Sequence, residues 1–386
     1  MSERSAPGRG SGAPHPDAGL EAATKNEVQH LPSDSPVRFV TPDGELAPRA
    51  ERNGYEFPSE KLLLSAYRAM VVGRRFNTEA TALTKMGRLA VYPSSRGQEA
   101  CQVGGVVVLD ERDWLFPTYR DTVALISRGI DPVEALGLLR GDWHCGYDPM
   151  ATRTAPQCTP LATHMPHAVG LAYAARRRGE DLVAMVYVGD GGTSEGDFHE
   201  ALNFAAVFNA PVVFLVQNNR YAISVPLSRQ SAAPSLAHKG VGYGIRSEQV
   251  DGNDAVAVVS VLSDAVAFAR TGRGPVLVEA HTYRMDAHTN ADPVGRYRDA
   301  SEAEEWIERD PMTRLEAYLS AAGVLTDSDI KAANDAAEDF ATGMRPQLNA
   351  NPEVHPLEIF DYVFAEPTPQ LREQRSQLEA ELAQEA

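Results

Sequence analysis

The sequence predicts a doubly wound α/β fold, a mostly parallel sheet with helices on both faces, and three observations carry that prediction. Val183 to Val188, Val212 to Val216 and Val276 to Ala280 are short apolar, β-branched runs bounded by turn residues, as in strands buried on both faces. Between the first two lies a stretch with Phe198, Leu202 and Ala205 at helical spacing, and a strand, helix and strand in so short a length form a right-handed crossover between parallel strands. A further short strand, Arg246 to Val250, and an amphipathic helix, Val256 to Ala269, complete a β-α-β-α-β order.

The elements follow in chain order. Residues 1–35, rich in Gly, Pro, Ser and Ala, are expected to be a disordered arm, either dispensable or reserved for a partner. Residues 36–58 form an N-terminal extension in which Pro42-Asp43-Gly44 turns a hairpin-like segment. The α/β domain is expected over 59–345. It opens with a helix from Ser59 whose stripe is Leu62, Leu63, Tyr67, Met70 and Val71. Gly97 to Leu109 and His164 to Arg176 read as further helices. Ser194 is expected to cap the central crossover helix, with Asp197 completing a weak capping box. Trp306 to Leu319 and Asp327 to Phe340 read as two amphipathic helices. The tail, 346–386, places Leu371, Leu378 and Leu382 on one helical face, suited to a partner or to a neighbouring helix of the same chain.

At 386 residues the chain suffices for one large or two ordinary domains. Its net charge of −17, from 36 basic and 53 acidic residues, argues against nucleic acid or an anionic membrane surface as the main partner. Cys101, Cys145 and Cys158 are widely spaced, with no C-x-x-C, so neither a disulfide framework nor a zinc site is expected. No apolar run nears the roughly 20 residues that span a bilayer, and the first residues lack a hydrophobic signal core. A cytoplasmic location is the expectation.

Asp190 and Asn219 each fall just past the carboxyl end of a strand, the edge where open parallel sheets bind ligands. An acid, an amide oxygen and nearby carbonyls suit a hard cation such as Mg²⁺, and the adjoining glycines admit a phosphate. Taken singly, Gly189-Asp190-Gly191 reads more readily as a turn and Asn218-Asn219 as a polar loop. Their order across one crossover helix is far more specific. Gly189-Asp190-Gly191 does not match G-x-G-x-x-G, which argues against a dinucleotide-dependent hydride transferase.

Gly189-Asp190-Gly191, then residues 192–217, then Asn218-Asn219 resembles the thiamine diphosphate motif. With TSEGDFHEALNFAAVF and QNNRYAIS beside it, the chain resembles, over roughly 55–370, the alpha subunit of the decarboxylating component of 2-oxo acid dehydrogenase complexes. That resemblance implies a thiamine diphosphate-binding fold, oxidative decarboxylation of a 2-oxo acid and reductive acylation of a lipoyl group. It also implies a lipoyl acyltransferase core and a beta subunit in an α2β2 heterotetramer, which supplies the glutamate that shuttles the cofactor's aminopyrimidine proton, a role no glutamate of this chain matches. Asp190, Asn219 and the Tyr221 carbonyl would hold Mg²⁺. Tyr119, Arg120, Gly191, Gly192 and Gln217 would hold the diphosphate side, and Thr159 and Leu161 the thiazolium end.

His288 corresponds to the family's active-site histidine, although Asp286-Ala287 replace the glycine and His or Pro usual before it. Thr289 stands where animal relatives carry a phosphorylated serine, and no regulation is inferred from it. Val91 falls at a substrate-pocket position, beside Tyr119, or else packs in the core. Cys158, Pro160, Thr163 and His164 correspond to a monovalent-cation site, but Cys158 and His164 replace better oxygen donors. VYPSSRGQEA, WLFPTYRD, LLRGDWHCGYDP and the DAHTNAD loop resemble branched-chain more than pyruvate members. The alternatives are a pyruvate dehydrogenase alpha subunit and, from another class, a non-catalytic assembly module.

Overall fold

The computed structural model describes residues 30–141, 145–349 and 355–385. Five parallel strands form the sheet: β1 (Trp114–Phe116), β2 (Ala184–Gly189), β3 (Val212–Asn218), β4 (Arg246–Asp251) and β5 (Val276–His281). Their spatial order is β1-β2-β3-β5-β4. The helices that matter for the site are α1 (Glu60–Lys85), α2 (Glu99–Val107), α3 (His164–Arg177), α4 (Gly196–Val207) and α5 (Ala255–Arg270).

Side chains alternate across the pleat, so each central strand feeds two cores. Met185, Tyr187, Val213, Leu215 and Val278 pack with α1, α2 and α5 on one face. Val186, Val188, Phe214 and Val216 pack with Ala168 and Ala172 of α3 and Phe198 and Leu202 of α4 on the other. Helices on both faces of a parallel sheet are the doubly wound arrangement the sequence predicts.

Local caps fix where the helices begin. The Ser59 hydroxyl accepts from Leu62 N at 3.3 Å at the start of α1. Asp254 caps α5 through Val256 N and Ala257 N, both at 3.1 Å, while its second oxygen accepts from Phe39 N and Val40 N at 2.7 Å. One carboxylate thus starts a helix and pins the N-terminal extension. In that extension Val37 bridges Val250 in parallel and Val40 faces Leu46 across the turn at Gly44. Residues 30–35, expected within the disordered arm, are docked instead: Ser33 donates from N and from Oγ to Glu248 Oε1 of β4. Residues 1–29 of the expected arm, and His144, lie outside the described residues.

Two helical expectations need correction. Ser194 does not cap α4: Gly191–Ser194 is a 3₁₀ turn, α4 starts at Gly196, and Glu195 before it makes no side-chain cap. Lys239 Nζ donates to Thr193 O at 2.8 Å, and Thr193 Oγ1 donates to Asp190 O at 2.8 Å, which tightens this turn. Asp197 accepts from Thr163 Oγ1 at 3.0 Å instead of completing a capping box. The single helix expected over Trp306–Leu319 is two, Ala300–Ile307 and Pro311–Ala321. Pro311 has no N–H to continue the first, and Asp310 caps the second through Met312 N and Thr313 N.

The last helices are Asp327–Asn349 and Pro369–Glu385. Leu371, Leu378 and Leu382 share the half-buried face of the final one, which rests on the Pro356–Phe360 turn of the same chain. Among the described residues, no helix is long and apolar enough to cross a membrane.

Candidate active site

The carboxyl ends of β2, β3 and β5 bring the central residues together. Gly189 pairs in register with Gln217, and Asn218 with His281, so Asp190, Asn219 and the 282–299 loop leave the sheet side by side. Asp190 is 1% exposed. Burial raises its carboxyl above the ordinary aspartate range, opposed by the Gln230 side chain, the Asn219 backbone N–H and the Arg284 charge. Gln230 Nε2 donates to Asp190 Oδ2 at 2.7 Å, while Gln230 Oε1 is buried without a hydrogen-bond partner among the described residues.

Of the two asparagines, Asn218 turns inward and donates to Glu279 at 2.6 Å. Asn219 Nδ2 donates to Gln98 Oε1 at 3.1 Å, and its Oδ1 accepts from Tyr221 N at 3.3 Å. The chain passes Asn219 with Arg220 at φ 77° and Ile223 at φ 55°, both left-handed. The Tyr221 carbonyl accepts from Arg284 Nη1 at 3.2 Å, which leaves it one further lone pair. Gly191 and Gly192 are sterically required. A Cβ at Gly191 would lie 2.7 Å from Ala222 Cβ, and one at Gly192 would lie 2.6 Å from Val188 Cγ2.

Arg120, 5% exposed, follows β1 and reaches across to the 282–299 loop. Its Nη1 donates to Ser94 O at 3.0 Å, and its Nη2 meets His288 Nδ1 at 3.0 Å and His288 O at 3.2 Å. Arg284 Nη1 approaches the same Nδ1 at 3.5 Å. Guanidinium groups only donate, so Nδ1 accepts and the single imidazole proton sits on Nε2. Burial, then Arg120 and Arg284, push the His288 pKa down to about 4, so the ring is neutral near pH 7. Tyr119 meets the His288 ring edge-on at 6.0 Å. Asp292 Oδ2 accepts from His288 N at 2.7 Å and fixes the loop backbone.

The substitution before His288 has a local reason: Asp286 accepts from Ser94 Oγ at 2.6 Å, tying the loop to the same segment that holds Arg120. Asn290 of this loop also accepts from Tyr92 N at 3.4 Å, next to Val91. Val91 is half-buried and packs against the larger core. Thr159 and Leu161 lie on an exposed turn whose Cys158 carbonyl accepts from Tyr119 N at 3.1 Å.

Gln217 does not stand open toward a ligand. It is 2% exposed; its Nε2 donates to Asp121 Oδ1 at 2.7 Å and its Oε1 accepts from Gln98 Nε2 at 2.9 Å. The monovalent-cation positions are likewise engaged elsewhere. Thr163 bonds Asp197, the Cys158 thiol donates to Pro160 O at 2.9 Å, and His164 Nε2 bonds Tyr187 O at 2.6 Å. Gln98, Asp121, Gln230 and Arg284 were not singled out by the sequence reading. Only Arg284 carried a signal, as an arginine within a long polar loop.

His164 yields a pH prediction. It is 4% exposed, its Nδ1 lacks a partner among the described residues, and burial lowers its pKa to about 4. A histidine depressed on folding contributes stability above its unfolded pKa of about 6.5, and that stability is lost as pH falls toward about 4. Thermal unfolding should therefore lose on the order of 3 kcal/mol across that window from His164, and His164→Gln should flatten that part of the profile.

The donor set fits a divalent ion bridging a diphosphate. Asp190, Asn219 and Tyr221 would offer one buried carboxylate, one amide oxygen and one carbonyl at the ends of adjacent strands, beside two glycines where a side chain would clash and near the Arg284 guanidinium. Among the described residues no group of three His, Cys, Asp or Glu forms a metal cluster, so Asp190 would be the one anionic protein ligand there.

Fold and site define a doubly wound α/β protein whose buried polar residues gather at the carboxyl edge of its parallel sheet. The chain belongs to the dehydrogenase E1 component family, whose model matches residues 67–341. It is 46% identical over 348 residues to the 3-methyl-2-oxobutanoate dehydrogenase subunit alpha of Mycobacterium tuberculosis strain H37Rv, covering 90% of this chain and 94% of that one. It is 37% identical over 318 residues to the pyruvate dehydrogenase E1 component subunit alpha of Acholeplasma laidlawii, covering 82% and 92%. The protein of the latter name from Staphylococcus aureus strain Mu50 is 38% identical over 267 residues, covering 69% and 72%. The chain is thus related to the E1 alpha subunits of both the branched-chain and the pyruvate group.

Proposed function

We propose that this chain is the alpha subunit of a cytoplasmic branched-chain 2-oxo acid dehydrogenase, active with a beta subunit in an α2β2 assembly and feeding a lipoyl acyltransferase core. The observation that carries the chemistry is the juxtaposition of Asp190 and Asn219 on adjacent strand ends with the Arg120–His288 pair across from them. The branched-chain choice is supported by the 46% identity to the 3-methyl-2-oxobutanoate enzyme subunit. The pyruvate reading keeps support from relatives at 37% and 38% identity.

Thiamine diphosphate, when bound, supplies the electron sink that decarboxylation of a 2-oxo acid needs. Asp190, Asn219 Oδ1 and the Tyr221 carbonyl hold Mg²⁺. Gly191 and Gly192 let the backbone approach the diphosphate, and Tyr119 and Arg120 bind its oxygens. Gln217 contributes through its neighbours, since its own amide is already used on both sides. Thr159 and Leu161 would contact the thiazolium end, and Tyr119 and Val91, the latter also packed on the core, would line the substrate pocket. His288, neutral and protonated on Nε2, can donate one hydrogen bond or one proton at that atom. Residues 59–345 are the proposed catalytic domain and 346–386 the tail, although the helix Asp327–Asn349 crosses that boundary and Leu348 is buried in the larger core.

The test is decarboxylation of 2-oxoisovalerate and of pyruvate by the chain alone and assembled with its beta subunit. Turnover is expected only in the assembly, with 2-oxoisovalerate preferred. The two acids differ by two carbons, each worth about 1–3 kcal/mol in an apolar pocket, so weaker residual activity on the smaller acid is expected. A strong preference for pyruvate would reject the branched-chain reading, and turnover by the chain alone would reject the shared site.

A further inference from the structure

Four buried side chains run in a single line from the turn after β1 to the candidate metal ligand just past β3. Asn219 Nδ2 donates to Gln98 Oε1 at 3.1 Å, Gln98 Nε2 donates to Gln217 Oε1 at 2.9 Å, and Gln217 Nε2 donates to Asp121 Oδ1 at 2.7 Å. Their exposures are 6%, 2%, 2% and 0%. The line draws on three separate places in the chain: β3 and its end, the residue before α2 and the turn after β1. Asp121 is held as an acceptor from its other side, where Thr118 N and Oγ1 donate to Oδ2 at 2.7 and 2.6 Å.

We propose that this line is an orientation relay: the Asp121 carboxylate dictates which way the Asn219 amide faces, and Gln217 and Gln98 are the positioning residues that transmit it. A primary amide presents donors at one end and an acceptor at the other, and its two orientations are nearly equal in shape. An ionised carboxylate only accepts. It therefore demands the NH₂ end of Gln217, which leaves Gln217 Oε1 to demand the NH₂ end of Gln98. Gln98 Oε1 then demands the NH₂ end of Asn219. Asn219 Oδ1 is thereby left as the accepting end, which takes the Tyr221 N–H at 3.3 Å and keeps its second lone pair for a cation. Reversing the line would aim the Asn219 NH₂ group, a donor, at the ion.

The inference rests on the proposed Mg²⁺–thiamine diphosphate reading and is tested by moving the acceptor. In Asp121→Asn the side-chain oxygen stays with Thr118 N, and the new NH₂ group faces Gln217 and reverses every amide. In Asp121→Asn with Gln98→Glu, Gln217 stays reversed, but the carboxylate introduced at position 98 again accepts from Asn219 and restores its orientation. Calorimetry of Mg²⁺-dependent thiamine diphosphate binding, on the full chain assembled with its beta subunit, should show about a ten- to hundredfold loss for the single variant, the range of one hydrogen bond to a charged group. The double variant should return to within about threefold of wild type, a recovery that a merely structural role for Asp121 would not give.

Wild-type affinity in the single variant, or a folded double variant no tighter than the single, overturns the relay. Should Asp121→Asn not fold, Gln98→Met cuts the line without moving a charge. It should lose about fivefold in affinity, and wild-type affinity there overturns the relay as well. Absence of binding by the wild-type assembly would overturn the coenzyme reading and the relay together.

Discussion

Asp190→Ala should abolish magnesium-dependent binding of thiamine diphosphate, with an affinity loss of more than about a hundredfold. Two unit charges about 4 Å apart attract by about 4 kcal/mol at an effective dielectric constant near 20, and a divalent ion roughly doubles that. A hundredfold change is only about 2.8 kcal/mol. Neither Asn219 nor the Tyr221 carbonyl carries a charge to replace the lost carboxylate, and Gln230 cannot supply one. Stability should move the other way. Burial already raises the Asp190 carboxyl, so its charged form is held at a cost in the empty chain. The unliganded variant should therefore unfold at or above the wild-type temperature while its coenzyme titration is flat. Calorimetry and thermal unfolding on the same preparation separate the two effects, and unchanged coenzyme affinity would end the metal assignment.

Gly97→Ala should destabilise the fold by about 3 kcal/mol or more and weaken coenzyme binding with it. Gly97 has φ +94°, and a Cβ there would sit 2.1 Å from the Tyr283 carbonyl oxygen. The obstacle is backbone, so no rotamer change relieves it, and the left-handed conformation adds strain for any L side chain. The same place latches the 282–299 loop. Thr282 Oγ1 donates to Gly97 O, and Met285 N donates to Arg96 O at 3.2 Å. Displacing the loop would carry Arg284 and His288 away from Arg120. Thermal unfolding should show the loss of stability, and a midpoint equal to wild type would show that the backbone yields.

The sheet was legible because its central strands are buried on both faces and so are written as continuous apolar runs. Helix starts were legible where the capping residue acts locally, as at Ser59 and Asp254. The Asp310-Pro311 break was also written locally, since proline at the first helical position after an aspartate marks a new start, and reading through it joined two helices into one. Ser194 failed for a different reason: the turn before α4 is held by Lys239, which no local pattern around Ser194 reveals. The site divides along the same line. Asp190 and Asn219 follow from their places at strand ends. Gln98, Asp121 and Arg284 matter only through partners far away in sequence, and an amide–amide contact between Gln98 and Gln217 leaves no periodicity to read.

Val37 lies against Val250 at one flank of the sheet, and Thr154 lies against Leu115 at the other. Each outer strand therefore meets a short foreign segment where it would otherwise offer bare amides and carbonyls to another polypeptide. Ribbon-to-ribbon fusion of two copies is discouraged at both ends, and a companion molecule has to grip outward-facing side chains instead. Phe204, Val207 and Phe208 are apolar and exposed on α4 and just beyond it, with Phe208 stacked between Phe204 and Tyr173.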